Sequence, residues 1–158
     1  MKLEKIYSTV LVWGVISREG VDCLRQENKL AVIAEGRPYL TGINYNIPLL
    51  KKEKIDFIYC TDNTLGLLFY KKKIAKTFFF YKEKTDNGLT GACGSLYAAL
   101  LSKLHKVDIE VFPQGTANYE VLDKNSATLA GKPFILEEDK NSYIIDVNDE
   151  FVSLEVLG

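Results

Sequence analysis

Ile55–Leu68, IDFIYCTDNTLGLL, decides how the chain is read. An apolar, β-rich run (Ile55, Phe57, Ile58, Tyr59) stops at Thr61-Asp62-Asn63-Thr64. A helical pattern then starts with Leu65, Leu67 and Leu68. Buried strand, short polar turn and amphipathic helix form the repeating unit of an open α/β sheet. The turn falls at the carboxyl end of the strand, where such sheets bind ligands. Asp62, Asn63 or Thr64 can cap the new helix, whose free N–H groups attract anions.

A second such unit follows in IAKTFFFYKEKTDNGLTGACGSLYAALLSKL, residues 74–104. Phe78-Phe79-Phe80 is apolar on both faces, as a central strand of a covered parallel sheet would be. Phe57–Cys60 is expected to be central too. Lys82–Thr90 is polar, with a turn at Asp86-Asn87-Gly88. A helix is expected from about Gly91 to Lys106, with an inner stripe of Leu96, Ala99, Leu100 and Leu104.

Working outward, Ile6–Trp13 reads as a strand ended by Gly14. Ser17 can cap a helix over Arg18–Gln26, with Val21 and Leu24 inward. Leu30–Ala34 is a short apolar strand stopped by Glu35-Gly36-Arg37-Pro38. Tyr39–Lys52 is expected to be helical, with Pro48 kinking or interrupting it. Asp108–Phe112 is a strand stopped by Pro113. Residues 114–134 are irregular, and Tyr143–Val147 reads as a late strand. The alternation predicts an α/β fold: a parallel sheet, helices on both faces and right-handed crossovers.

A chain of 158 residues has room for one domain with a real core. With 20 basic and 21 acidic residues and a formal charge of −1, no net field draws it to nucleic acid or anionic lipid. The basic runs Lys51-Lys52 and Lys71-Lys72-Lys73 fall where helix ends are expected and read as dipole-compensating faces. Cys23, Cys60 and Cys93 lack metal-ligand spacing. Their odd number, with no apolar signal segment in MKLEKIYSTV, points to reduced thiols and a cytoplasmic address. No apolar run approaches the ~20 residues of a membrane span. No cofactor or metal is expected.

Asn87–Ser95, NGLTGACGS, is a glycine-rich approach to a helix N-terminus. Its backbone could come close to a phosphate, and a plain flexible turn explains the same residues. It is neither a P-loop nor the dinucleotide fingerprint. Arg37 could hold a phosphate or carboxylate by two hydrogen bonds, or pair with Glu35 across the crevice. His105 reads as dipole compensation at a helix end. Cys60 and Cys93 could be activated at helix N-termini or be small packing residues. Asp62 and Asp86 could serve as acid and base, with Asp62 as a cap the simpler account.

In order along the chain, these pieces resemble a known family. Glu35-Gly36-Arg37-Pro38 with Leu40 and Gly42 looks like its E-x-R-P-x-x-x-G turn. Tyr59–Gly66, YCTDNTLG, looks like its T-D-[SN]-x-x-G strand end. Asn87-Gly88, then Gly94-Ser95 with Ala99-Leu100-Leu101-Ser102-Lys103, resembles its N-G…K-I-G-T…A-L-L-A-K segment. Ser17-Arg18 matches the S-R of one branch, and Asn148 with Phe151 echoes a terminal N-P-x-F. The family is the C-terminal domain shared by the alpha, beta and delta subunits of eukaryotic initiation factor 2B, methylthioribose-1-phosphate isomerase and ribose-1,5-bisphosphate isomerase.

The resemblance implies a three-layer α/β/α Rossmann-like domain, with a mainly parallel sheet, over residues 1–158. It also implies that the domain dimerises and binds phosphorylated sugars. The high aromatic content agrees with a homodimer. The expected site is Arg37, Asp62-Asn63-Thr64 and Gly91, Gly94 and Ser95. Arg37 and the Gly94/Ser95 backbone would hold the anion, and Asp62 would accept sugar hydroxyls. The family's catalytic cysteine follows the first strand, where this chain has Trp13-Gly14. Its catalytic aspartate follows the fourth strand in a G-A-D motif, where this chain reads Phe80-Tyr81-Lys82. Its Asn-Lys pair aligns with Gly91-Ala92. The leading expectation is therefore a degenerate member that binds a phosphorylated metabolite without the usual isomerase activity. The alternatives are an isomerase with rearranged residues, Asp86 with Cys93, and a purely structural partner subunit.

Overall fold

A computed structural model describes residues 2–37, 39–117, 128–129, 132–133 and 149–158. At its centre lies β1 (Thr9–Trp13), buried at all five positions. Successive strand residues point to opposite faces. Val10 and Val12 join one apolar cluster with Val21 and Leu24 of α1 (Arg18–Glu27) and Leu50 of α2 (Ile47–Lys52). Leu11 and Trp13 join a second with Leu65, Leu68 and Phe69 of α3 (Thr64–Tyr70) and Ala98 of α4 (Ser95–Leu104). Helices therefore pack on both faces.

The seven-stranded sheet is mixed. Strands β3 (Phe57–Cys60), β2 (Ala31–Ala34), β1, β4 (Ile74–Thr85) and β6 (Asp108–Pro113) run parallel to one another. Two further strands follow: β5 (Gly88–Ala92) runs antiparallel to β4, and β9 (Asp149–Ser153) runs antiparallel to β5. A separate short pair joins β7 (Thr128–Leu129) and β8 (Lys132–Pro133). Two expectations are corrected here. Phe57–Cys60 is not central: among the described residues β3 pairs only with β2, and Tyr59 is 43% exposed. The helix expected from about Gly91 starts only at Ser95, because the chain up to Ala92 is still strand. β4 runs on to Thr85, turns at Asp86-Asn87 and returns as β5. Thr85 closes that turn, its hydroxyl donating to the Gly88 carbonyl at 3.2 Å and accepting the Asn87 N–H at 3.3 Å.

Phe78, Phe79 and Phe80 are fully buried, as expected, and Phe78 and Phe80 pack against Phe112 of β6. Ser17 caps α1, accepting the Gly20 N–H at 3.4 Å. The helical stretch before β3 begins with a π-turn at Gly42–Asn46. The expected interruption is there: the π-turn ends at Asn46, and Pro48 follows in the first turn of α2. The inner stripe of α4 is also corrected. Its buried residues are Ser95, Ala98, Ala99 and Ser102, while Leu96, Leu100 and Leu104 face outward. The reason is close approach: the Ser102 and Thr77 hydroxyls hydrogen-bond at 2.8 Å inside the core, which leaves no room for leucine. The three cysteines are unpaired, and no helix among the described residues is long and apolar enough to cross a membrane. Tyr143–Val147 and Asn148 lie outside the described residues.

Candidate functional site

Three turns meet at the carboxyl ends of the parallel strands. The first follows β2. Glu35 continues the sheet by donating its N–H to the Cys60 carbonyl at 3.1 Å, and its carboxylate takes the Arg37 Nε–H at 3.3 Å. The second follows β3. Asp62 does not cap α3; its two carboxylate oxygens accept the Gly36 and Arg37 N–H groups at 2.8 and 2.9 Å. One side chain thus ties the first turn to the second. Burial raises the Asp62 carboxyl, and the two N–H donors pull it partly back. Asn63 stands at the N-cap without a side-chain cap bond. The Thr61 and Thr64 hydroxyls bond each other at 2.8 Å.

The third turn enters α4. Gly94 holds φ +85°, and any β-carbon there would collide with the Trp13 indole. Trp13 and Ser95 are buried, and the Trp13 Nε1 and Ser95 Oγ have no partner among the described residues. The Leu96 N–H donates to the Glu150 carboxylate of β9 at 2.8 Å. The helix end that sequence marks as an anion site therefore already faces an anion from the chain itself. Gly91 lies within β5, opposite Glu150 and Tyr81, rather than in a loop.

Thiols on both sides report one shared electrostatic environment. Burial, then Asp62 and Glu35, push the Cys60 thiol up to about 11. Burial, then the charge of Glu150 and a hydrogen bond to it, raise Cys93, and Asp62 adds to this. Neither is an activated thiolate. The structure thus brings Arg37 and Asp62 together, with Cys93, Gly94 and Glu150 across the crevice. It separates Asp86 from Cys93: Asp86 is exposed at the hairpin tip, and β5 lies between them.

Two residues escape sequence reasoning. Asn46 is buried; its amide donates to the Gly14 carbonyl at 2.8 Å and its oxygen accepts the Ile16 N–H at 3.0 Å, fixing the turn after β1. Its only signal is an amide inside an otherwise apolar helix entry. Glu150 arrives from far along the sequence, with no local signal at all. Gly14 itself holds φ +90°, and a β-carbon there would stand 2.5 Å from the Phe80 carbonyl oxygen.

The arrangement is that of an α/β domain with turns converging at the strand ends, and solved structures share its fold. Translation initiation factor eIF-2B subunit delta from A. fulgidus aligns over 98% of this chain and 52% of its own, with a TM-score of 0.73 and 15% identity. The 5-methylthioribose 1-phosphate isomerase from Pyrococcus horikoshii OT3 aligns over 98% and 49%, with a TM-score of 0.74 and 12% identity. Translation initiation factor eIF-2B from the same organism aligns over 98% and 56%, with a TM-score of 0.59 and 16% identity. This chain spans about half the length of these proteins and has their fold. The family expected from the motifs is the one these structures come from. No family model matches the sequence. No curated protein matches it either.

Proposed function

We propose that residues 1–158 form one three-layer Rossmann-like domain of the initiation factor 2B and isomerase kind. It binds a small phosphorylated metabolite without the usual isomerase chemistry. The observation that carries this reading is the Asp62 clamp on Gly36 and Arg37, which sets the Glu35-Gly36-Arg37 turn at the strand ends. Arg37 and the Gly94/Ser95 backbone receive the anion, and Asp62, Asn63 and Thr64 line the sugar side. Glu150 marks the place a ligand phosphate competes for, because its carboxylate already accepts the Leu96 N–H.

The loss of isomerase chemistry is supported by sterics. The resemblance puts a catalytic cysteine after β1. Trp13 fills that place from inside the core, and Gly14 has no room for any side chain. The resemblance puts a catalytic aspartate after β4, where the strand simply continues through Tyr81 and Lys82. Lys82 is engaged with Asp149. An acid–base pair must stand within about 3 Å of the transferred proton, and neither position supplies one.

A thermal-shift titration with methylthioribose 1-phosphate, ribose 1,5-bisphosphate and inorganic phosphate tests the binding. Binding to the folded form alone raises the melting temperature with concentration. Arg37→Ala should remove the shift. A parent protein that shifts with none of them would overturn the binding reading, and turnover of either sugar phosphate would overturn the non-catalytic one.

A further inference from the structure

The opposite end of the sheet carries a device that the crevice does not use. Before β3, β4 and β6 the helices end in the same way. Lys54, Lys72 and Lys106 take left-handed φ values of +56°, +53° and +56°. Each turn is closed by paired N–H groups: Lys72 to the Phe69 carbonyl and Lys73 to that of Leu68, Lys106 to Lys103 and Val107 to Ser102. Glycine is the usual residue at such a position, because a β-carbon there crowds the following carbonyl oxygen. Three lysines bear that strain along one rim.

A cation at a helix end compensates the dipole, and one per helix suffices. This rim holds more. Lys2 and Lys5 flank a short helical turn whose Leu3 packs against the cluster that holds Phe69 and Ile74, and the chain then reaches Thr9, whose N–H donates to the Lys73 carbonyl at 2.8 Å in the turn before β4. Lys2, Lys5, Lys71, Lys72, Lys73 and Lys106 make no ion pair among the described residues. Arg18, Arg25, Lys29, Lys76 and Lys82 are each paired with a carboxylate. The exposed acids at this end are Glu4, Asp56 and Asp108, and Glu27 and Glu53 are already paired with Lys29, Lys76, Arg18 and Arg25. Two tyrosines stand among the lysines, Tyr7 75% and Tyr70 69% exposed. The Lys73 ammonium lies 5.5 Å from the Tyr7 ring and that of Lys71 5.4 Å from the Tyr70 ring. The net charge of −1 hides this patch because Glu35, Asp62 and Glu150 gather at the other end.

We infer that this rim binds a single-stranded polynucleotide, its lysines on the phosphates and Tyr7 and Tyr70 stacking on bases. Unpaired cations tracking a backbone, interleaved with exposed aromatic rings, are what sequence-tolerant single-strand binding needs. An anionic bilayer would instead call for an amphipathic helix with basic residues beside an apolar face. The lysines here sit on turns.

The test is fluorescence anisotropy with a labelled oligouridylate of about 12 nucleotides. Affinity should fall at least about tenfold between roughly 50 and 200 mM salt. Replacing Lys71, Lys72 and Lys73 together by Gln should weaken binding about tenfold or more with the fold intact by circular dichroism. Tyr7→Leu with Tyr70→Leu should weaken it at constant charge. Lys72→Gly with Lys106→Gly separates binding from structure: relief of the strained turns should raise the melting temperature while affinity falls. Four results would overturn the inference: no oligonucleotide binding; tyrosine variants that bind as well as the parent; displacement by polyglutamate as effective as by oligonucleotide; or binding only to phosphatidylserine vesicles.

Discussion

Asp62 accepts two backbone N–H groups from a turn 25 and 26 residues earlier in the chain. Asp62→Ala leaves both donors without their partner in a partly buried turn. The expected loss is about 1–3 kcal/mol in urea denaturation, with Asp62→Asn intermediate because one acceptor oxygen remains. Glu35, Arg37 and Asp62 were legible in the sequence because turn chemistry is local. The Arg37–Glu35 pair was one of the readings, but the reach of Asp62 was not, since nothing in TDNT says that the aspartate reaches back rather than forward to cap its own helix. Ser95 shows the same limit. It reads as a helix start that could receive an anion, yet it is fully buried, so Ser95→Asp would break the fold before it tested a site. Glu150→Gln is the cleaner probe: it removes the carboxylate facing the Leu96 N–H and should enlarge the phosphate-dependent thermal shift. An unchanged shift would place the anion elsewhere. Cys60 supplies a pH signature. Its folded thiol is raised from an ordinary 9.0 to about 11, so folding favours the protonated form. That contribution to stability is complete below about pH 9 and is lost as pH rises through about 11. Cys60→Ser should flatten this part of the stability profile, and Cys60 should resist iodoacetamide at pH 8.

At the scale of elements, the strands with continuous apolar runs were readable and the hairpin was not. Lys82–Thr85 is polar at every position because this part of β4 is solvated on both faces, so it carries no alternation to read. Gly88–Ala92 has two glycines in five residues and little intrinsic strand preference. It is a strand because β4 and β9 pair with it on either side. Helix α4 reverses the usual pattern for a related reason. Its packing face is chosen by closeness to the sheet, and small residues win it over leucines. Ala98→Leu should therefore overpack the core and cost about 1–3 kcal/mol. Leu100→Gln, on the outer face, should stay within about 0.5 kcal/mol in the isolated subunit. Chemical denaturation of the two variants separates the faces, and equal losses would contradict this packing.

At the scale of the molecule, the leucines displaced from the core form a surface of their own. Leu96, Tyr97, Leu100 and Leu104 lie along the outer face of α4, with Leu100 47% and Leu104 74% exposed. Tyr97 extends that face to α3: a β-carbon on Gly66 would stand 3.3 Å from its hydroxyl, beside exposed Leu67. These five side chains expose on the order of 500 Å². A standard interface takes about 800 Å² from each partner, somewhat more than half of it apolar, so the patch is the size one half of a dimer needs. A second copy of this chain is the occupant we propose, because an isologous contact presents the same patch from both sides. The five side chains carry no charge, whereas the crevice end gathers carboxylates and the far rim gathers lysines. A dimer closed through α3 and α4 would leave both ends open to solvent. Sedimentation velocity at micromolar concentration should give a dimer. Leu100→Glu with Leu104→Glu should give a monomer with an unchanged circular dichroism spectrum, since burying four extra carboxylates across a two-fold contact is prohibitive. A parent protein that sediments as a monomer, or a double variant that still dimerises, would remove this face from the assembly.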